Sequence, residues 1–277
     1  MEIWHRISFN VSGKKGFYKV VQNLDVISKI IELPGGGGMM VYVDIKESDP
    51  HWAIVSYWVM KTGSLDIKDT FFSDEEIRNA EWLRLISVFE QGYPQPKMEW
   101  PIKQLSYKIE CYECGNYHQT NSMRMAKEPS LRSKSFMTLI WTNEILCIPE
   151  VIQGLGKIQA KGFEVWDALI HKTNSPSSKV QQLYIPGIAP PGVVIEPDLT
   201  GINCPVCGTP KYYAHTRGVM HLKREALLPD TDFMLTHERF GSGYIAWREI
   251  FVSNRVACLI LDNGWKGVRF KVVEIVG

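Results

Sequence analysis

Cys111-Tyr-Glu-Cys114-Gly115 and Cys204-Pro-Val-Cys207-Gly208 are two copies of one frame, and their reading decides the fold. Two thiolates three positions apart can hold one ion only if the chain turns tightly between them. A glycine directly after the second cysteine supplies the permissive backbone for that turn. Two such knuckles offer the four sulfurs of a closed tetrahedral site. Cys111, Cys114, Cys204 and Cys207 are therefore the candidate ligands of one structural zinc ion per chain. The spacing is unusual, because Cys204 comes 90 positions after Cys114, against about 15–20 in a compact ribbon. Loop-closure cost grows only logarithmically with length, so a folded insertion between the knuckles is tolerable.

Two other arrangements stay open at this stage. Each pair can hold its own ion, with His118 or His215 as a further ligand, or the pairs can be reduced thiols without metal. For both histidines an ordinary polar surface role is the better reading. A thioredoxin-type redox motif would need a helix start at the frame, whereas Gly115-Asn-Tyr-His-Gln-Thr is turn chemistry. Cys147 and Cys258 sit in apolar company and read as small core residues.

The remaining composition is that of an ordinary globular protein. In 277 residues, 31 Lys and Arg stand against 30 Asp and Glu, for a formal net charge of +1. That balance argues against a protein that coats nucleic acid or anionic membrane over its whole surface. A chain this long buries roughly three quarters of its unfolded surface and needs no disulfides to hold a core. Apolar stretches such as Trp52-Ala-Ile-Val are far shorter than a membrane helix requires, and the opening Met1-Glu-Ile-Trp-His-Arg does not read as a signal peptide. A cytoplasmic protein is expected, and paired cysteines in a reducing compartment point to metal first.

Residues 1–104 read as an N-terminal α/β region. A helix is expected over Asn23 to Leu33, and strands over Met39 to Ile45 and Trp52 to Met60. A long helix is expected from an N-cap at Ser73, with Glu76 completing a capping box, to a stop at Gly92. The proline-rich Tyr93-Pro-Gln-Pro then marks a boundary. Residues 105–277 carry an internal echo. Ile145, Val151, Leu155, Lys161, Gly162, Phe163 and Val165 each find a counterpart 105 positions later, in a strand–helix–strand phrase. The expected fold is α+β, with mixed sheets, a few helices and two pseudo-repeated units of CxxCG zinc knuckle plus strand–helix–strand, at about 105–172 and 198–277.

Catalytic signatures are missing. Gly35 to Gly38 runs into Met39-Met40 with no phosphate-loop Lys-Ser/Thr, and Gly241-Ser-Gly243-Tyr-Ile-Ala246 precedes a strand-like run where a dinucleotide site needs a helix. No His-x-Glu precedes Cys204, His237-Glu238 lacks a partner histidine, and there is no Gly-x-Ser-x-Gly. With four thiolates on one ion no position is left for substrate, so no enzyme is expected. Cations follow each knuckle: Arg124, Lys127, Arg132 and Lys134, then Lys211, Arg217, Lys223 and Arg224, with Tyr112, Tyr117, Tyr212 and Tyr213 nearby. They support an alternative reading as a zinc-ribbon nucleic-acid binder, which the neutral net charge disfavours. The nine tryptophans, Trp100 among them, are interface candidates, though most such residues serve cores.

The paired Cys-x-x-Cys-Gly frames resemble the double-CxxCG motif family of bacterial proteins, known from myxobacterial paralogue sets and associated with immunity to delivered toxins. Asp232-Phe-Met-Leu-Thr, Val252-Ser-Asn-Arg-Val256 and Gly267-Val-Arg-Phe270 are similar to the tail of a broader class of toxin-immunity proteins. The resemblance covers roughly residues 105–277. It implies a protein that binds and neutralises a cognate protein toxin by direct contact, without catalysis, and it supplies no toxin-contact residues.

Overall fold

Apolar residues alternate through Glu2–Asn10, and that period of two makes the first strand, β1. His5, Ile7 and Phe9 are buried, while Arg6 between them is exposed. The computed structural model describes residues 1–98, 103–195 and 199–277, so Trp100 and the start of the second expected repeat at Asp198 lie outside the described residues. After β1 come α1 (Lys15–Asn23), β2 (Lys29–Glu32), β3 (Met39–Lys46), α2 (Trp52–Thr62) and β4 (Leu65–Phe71). The sheet runs β2-β3-β1-β4 with every neighbour antiparallel, the arrangement of a split β-α-β unit. Ile7, Phe9, Phe17, Val41, Val43 and Val55 form its core.

This first compact unit comprises Met1–Ser73 together with Thr216–Gly218. Polar contacts explain why that distant tripeptide belongs here. The Thr70 hydroxyl donates to the Thr216 carbonyl at 2.9 Å and accepts from the Gly218 N–H at 2.8 Å. Arg217 grips Glu47 at 2.8 Å, and Glu47 in turn lies 2.9 Å from the buried His5 ring, whose other nitrogen faces Asp66 at 2.9 Å. Arg217, helped by His5, holds the Glu47 carboxyl below the usual carboxylate range despite partial burial.

Three sequence expectations differ from these elements. The helix lies one segment earlier than Asn23 to Leu33. Asp25 takes a left-handed conformation just past α1, and the β-branched Ile30 and Ile31 pair with Val41 and Met40 as strand β2. Trp52 to Met60 is helical, not extended. A nine-residue apolar run carries no period of its own, and here the flanks decide. The Asp49 side chain accepts from the His51 N–H at 2.8 Å, and Gly63 closes the helix in the left-handed region at φ 56°. The long helix after Ser73 is only α3 (Asp74–Asn79), and β5 (Trp82–Ser87) replaces its second half. The acidic first turn was a correct start signal. The broad apolar face beyond it belongs to a central strand, buried on both sides at Trp82, Leu83, Arg84 and Leu85.

The compact units accordingly part after Ser73, upstream of the break read at residue 104, because β5 pairs with strands at the far end of the chain. The second unit continues with β6 (Tyr107–Cys111), β7 (Asn116–Gln119), β8 (Arg124–Met125), β9 (Phe136–Met137), β10 (Ile145–Cys147), α4 (Pro149–Lys157), β11 (Glu164–Ile170) and β12 (Ser175–Tyr184). It ends with β13 (Gly201–Asn203), β14 (Pro210–Tyr212), β15 (Met220–Lys223), β16 (Phe233–Leu235), β17 (Arg239–Phe240), β18 (Ile250–Ser253), α5 (Asn254–Asp262) and β19 (Val268–Val276).

Two five-stranded sheets organise this unit, in the orders β8-β11-β12-β10-β9 and β15-β19-β5-β18-β16. In each, the first pair is parallel and the other three are antiparallel. Across the centre of one sheet Leu146, Gln182 and Trp166 lie opposite one another; in the other the row is Phe251, Arg84 and Lys271. Gln182 is fully buried and satisfied by the Met123 N–H and the Gln119 amide, whereas Arg84 is buried against Glu249 at 2.8 Å. The fold is thus α+β with mixed sheets and a few helices. Among the described residues no helix is long and apolar enough to cross a membrane.

Candidate metal centre

Each cysteine frame sits at the tip of a short hairpin. β6 and β7 flank the first, with Cys111 opposite Asn116, and β13 and β14 flank the second, with Asn203 opposite Pro210. Gly115 and Gly208 both adopt left-handed conformations, at φ 69° and 72°, as a tight turn after the second cysteine requires. The backbone N–H two positions past that cysteine then points at its sulfur, from Asn116 to Cys114 and from Thr209 to Cys207. The two knuckles therefore share one local geometry, built from the same four-residue logic.

The hairpins bring their sulfurs together. Cys111 Sγ lies 3.8 Å from Cys204 Sγ, and Cys114 Sγ lies 3.6 Å from Cys207 Sγ. All four sulfurs fall within 4.8 Å of one another. A tetrahedron of sulfurs about 2.3 Å from a central ion has edges of about 3.8 Å, so the cluster has the dimensions of a four-thiolate metal site. The spacing is also far from the ~2 Å of a disulfide bond. These four cysteines can hold one metal ion.

Cys111, Cys114 and Cys204 are buried and Cys207 is exposed, so one corner of the cluster meets solvent. Burial pushes the Cys114 thiol up to about 12, with the neighbouring thiols adding to the rise. Cys207 goes the other way, down to about 6, because the Thr209 hydroxyl, 3.2 Å from its sulfur, and the Thr209 backbone N–H both favour the thiolate.

The other sulfurs and histidines stay apart. His118 pairs with Glu110 at 3.0 Å, and His215 packs beside Arg84, whose charge joins burial in lowering the imidazole to about 4. Neither joins the sulfur cluster. Cys147 is fully buried and pushed up to about 12 by desolvation, and the Cys258 thiol lies 3.4 Å from Asn254 Oδ1 on α5. Cys147 is the core residue expected, whereas Cys258 is only half-buried.

Two braces around the centre are not evident from the sequence. Lys211, which reads as one of a basic patch, is 4% exposed and donates to the carbonyls of Cys114 at 2.9 Å and Gly243 at 2.6 Å. It joins the second knuckle's hairpin to the first knuckle's backbone. The glycine-rich 241–246 segment, set aside as a failed dinucleotide motif, packs on the first knuckle: Asn116 bridges Ala246, and a Cβ on Gly115 would meet the Tyr244 carbonyl at 1.9 Å. The two glycines in Gly241-Ser-Gly243, both at positive φ, were the available signal for a sharply bent brace. Other members of the basic set are also engaged, Arg217 with Glu47 and Arg224 with Glu81 at 3.1 Å. In comparisons with known proteins, no family model and no curated protein matches this chain.

Proposed function

We propose that Cys111, Cys114, Cys204 and Cys207 bind one structural zinc ion and that the protein is an immunity protein, blocking a cognate bacterial toxin by direct protein–protein contact. The observation that carries the metal reading is the clustering of four sulfurs from two separate hairpins within 4.8 Å of one another. Zinc suits an all-thiolate, four-coordinate site, and with every position filled by protein the ion supports folding and leaves no place for substrate. The binding role rests on the resemblance of the paired frames to the double-CxxCG family.

The same reading makes the second unit a pair of pseudo-repeats clamped by that ion. Its support is the matched order of the two five-stranded sheets and the equivalence of their central rows, since Leu146 and Trp166 precede Phe251 and Lys271 by the same 105 positions. β12 is the central strand of the first sheet and β5 that of the second, so the second repeat borrows its central strand from upstream of the first. The nucleic-acid reading finds less support, because Lys211 is buried and Arg217 and Arg224 are already paired with carboxylates.

Co-expression with the toxin encoded beside its gene tests the function. Rescue of growth together with a stoichiometric complex is the expected result; no rescue and no complex would overturn the immunity reading. A steeply salt-dependent affinity for nucleic acid in place of a toxin complex would favour the alternative.

A further inference from the structure

A second feature of the same unit has no part in the metal centre. A cavity of about 390 Å³ opens between the first knuckle's hairpin, the β10 and β12 ends, and the 235–250 segment. That volume is in the range of small-molecule sites. Its walls are mostly apolar, with Leu183, Leu235, Ile250 and Trp247 among them, yet Arg239 and Arg248 also line it.

Arginines withdrawn from water usually face carboxylates; among the described residues these two, Arg239 buried and Arg248 half-buried, have none in direct contact. Arg239 is 7% exposed, and among the described residues its side chain bonds only to the Ala246 carbonyl, at 3.3 Å. Arg248 donates to the Thr236 carbonyl at 2.7 Å and to the His237 carbonyl. Among the described residues neither guanidinium has a carboxylate within ion-pair distance; Arg239 disfavours the charge on Arg248, while Glu110 lies near enough to favour both charges and Glu238 that of Arg248. Each retains unused N–H donors, since five are available per guanidinium. The acids on the same lining make their direct contacts elsewhere. Glu110 pairs with His118, and burial pushes the Glu144 carboxyl up, toward its neutral form, where it sits beside the Tyr107 hydroxyl. The arginine backbone is also fixed in advance, because Phe240 and Trp247 exchange both backbone hydrogen bonds, at 2.8 and 2.9 Å.

We propose that this cavity binds a small organic anion, its carboxylate or phosphate group on Arg239 and Arg248 and its apolar body against Leu183, Leu235, Ile250 and Trp247. Two guanidiniums on one cavity lining, each with spare donors and no direct salt bridge, favour an oxyanion, and the apolar walls favour a ligand with a hydrophobic body over a bare ion. The site is independent of the immunity reading.

Calorimetric titration and thermal melting of the full chain with benzoate, phenyl phosphate, benzamide and inorganic phosphate test it. Benzoate and phenyl phosphate are expected to bind once per chain and raise the melting temperature. Neutral benzamide is expected not to bind, and inorganic phosphate to bind at least about tenfold more weakly than phenyl phosphate, for want of apolar contact. Arg248→Met should weaken both anions at least about tenfold. Ile188→Glu, which places a carboxylate at an exposed position on the lining, should do the same without touching either arginine. Absence of binding by both organic anions at millimolar concentration would overturn the proposal. So would equal binding of benzamide or inorganic phosphate, or unchanged affinity in both folded variants.

Discussion

A methyl group at Gly115 has nowhere to go, while one at Gly208 meets open space. The two glycines hold the same left-handed turn in the two knuckles, so substitution separates backbone strain from packing. Gly208→Ala should cost only the strain of a non-glycine residue at positive φ, about 1–2 kcal/mol. Gly115→Ala carries that strain and also collides with the Tyr244 carbonyl, so its denaturation midpoint should fall well below that of Gly208→Ala. Equal midpoints would show that the 241–246 brace contributes nothing. At this scale the sequence announced the cysteines and their glycines, because a knuckle is a local motif whose chemistry is written in consecutive residues. It did not announce Lys211. A lysine reads as a surface residue until the fold places two carbonyls within reach of its ammonium, and those come from residues 97 and 32 positions away.

Among elements, β5 is the one on which most depends. It pairs with β19 on one side and β18 on the other, and Leu83 at its centre is fully buried. Leu83→Ala should destabilise the second unit by about 2–5 kcal/mol, read by chemical denaturation. A chain lacking residues 1–104 should lose the second five-stranded sheet outright, because β18 and β19 are left with unpaired edges, whereas removal of residues 1–73 spares that pairing. If the shorter chain kept native-like spectra and solubility, the placement of β5 would be contradicted. From sequence alone this strand reads as the second half of a helix, and α2 as a strand. Both errors have one cause. Central strands and strongly apolar helices lose the period that distinguishes them, and the partners that settle the matter lie far along the chain. Where one side of an element stays solvated, as in β1 and β3, the alternation is present in the sequence.

For the whole molecule, the net charge of +1 and a core sufficient without disulfides leave the four clustered cysteines needing another reason. One shared ion, as proposed, would supply it. Structural zinc contributes apparent binding energies of roughly 10–16 kcal/mol in small four-ligand sites, enough to hold two hairpins drawn from separate parts of a chain. The order strand–helix–strand at β10-α4-β11 and at β18-α5-β19 was legible in the sequence. The crossing of β5 into the second sheet was not, since no local pattern records which distant edge a strand will join. Elemental analysis of zinc in the purified chain, beside Cys111→Ser and Cys204→Ser variants, is the most direct test of the shared centre. About one zinc per chain in the parent, and loss of essentially all of it in each variant, is the result predicted for a four-thiolate site. Two ions per chain, or zinc retained in either variant, would contradict it.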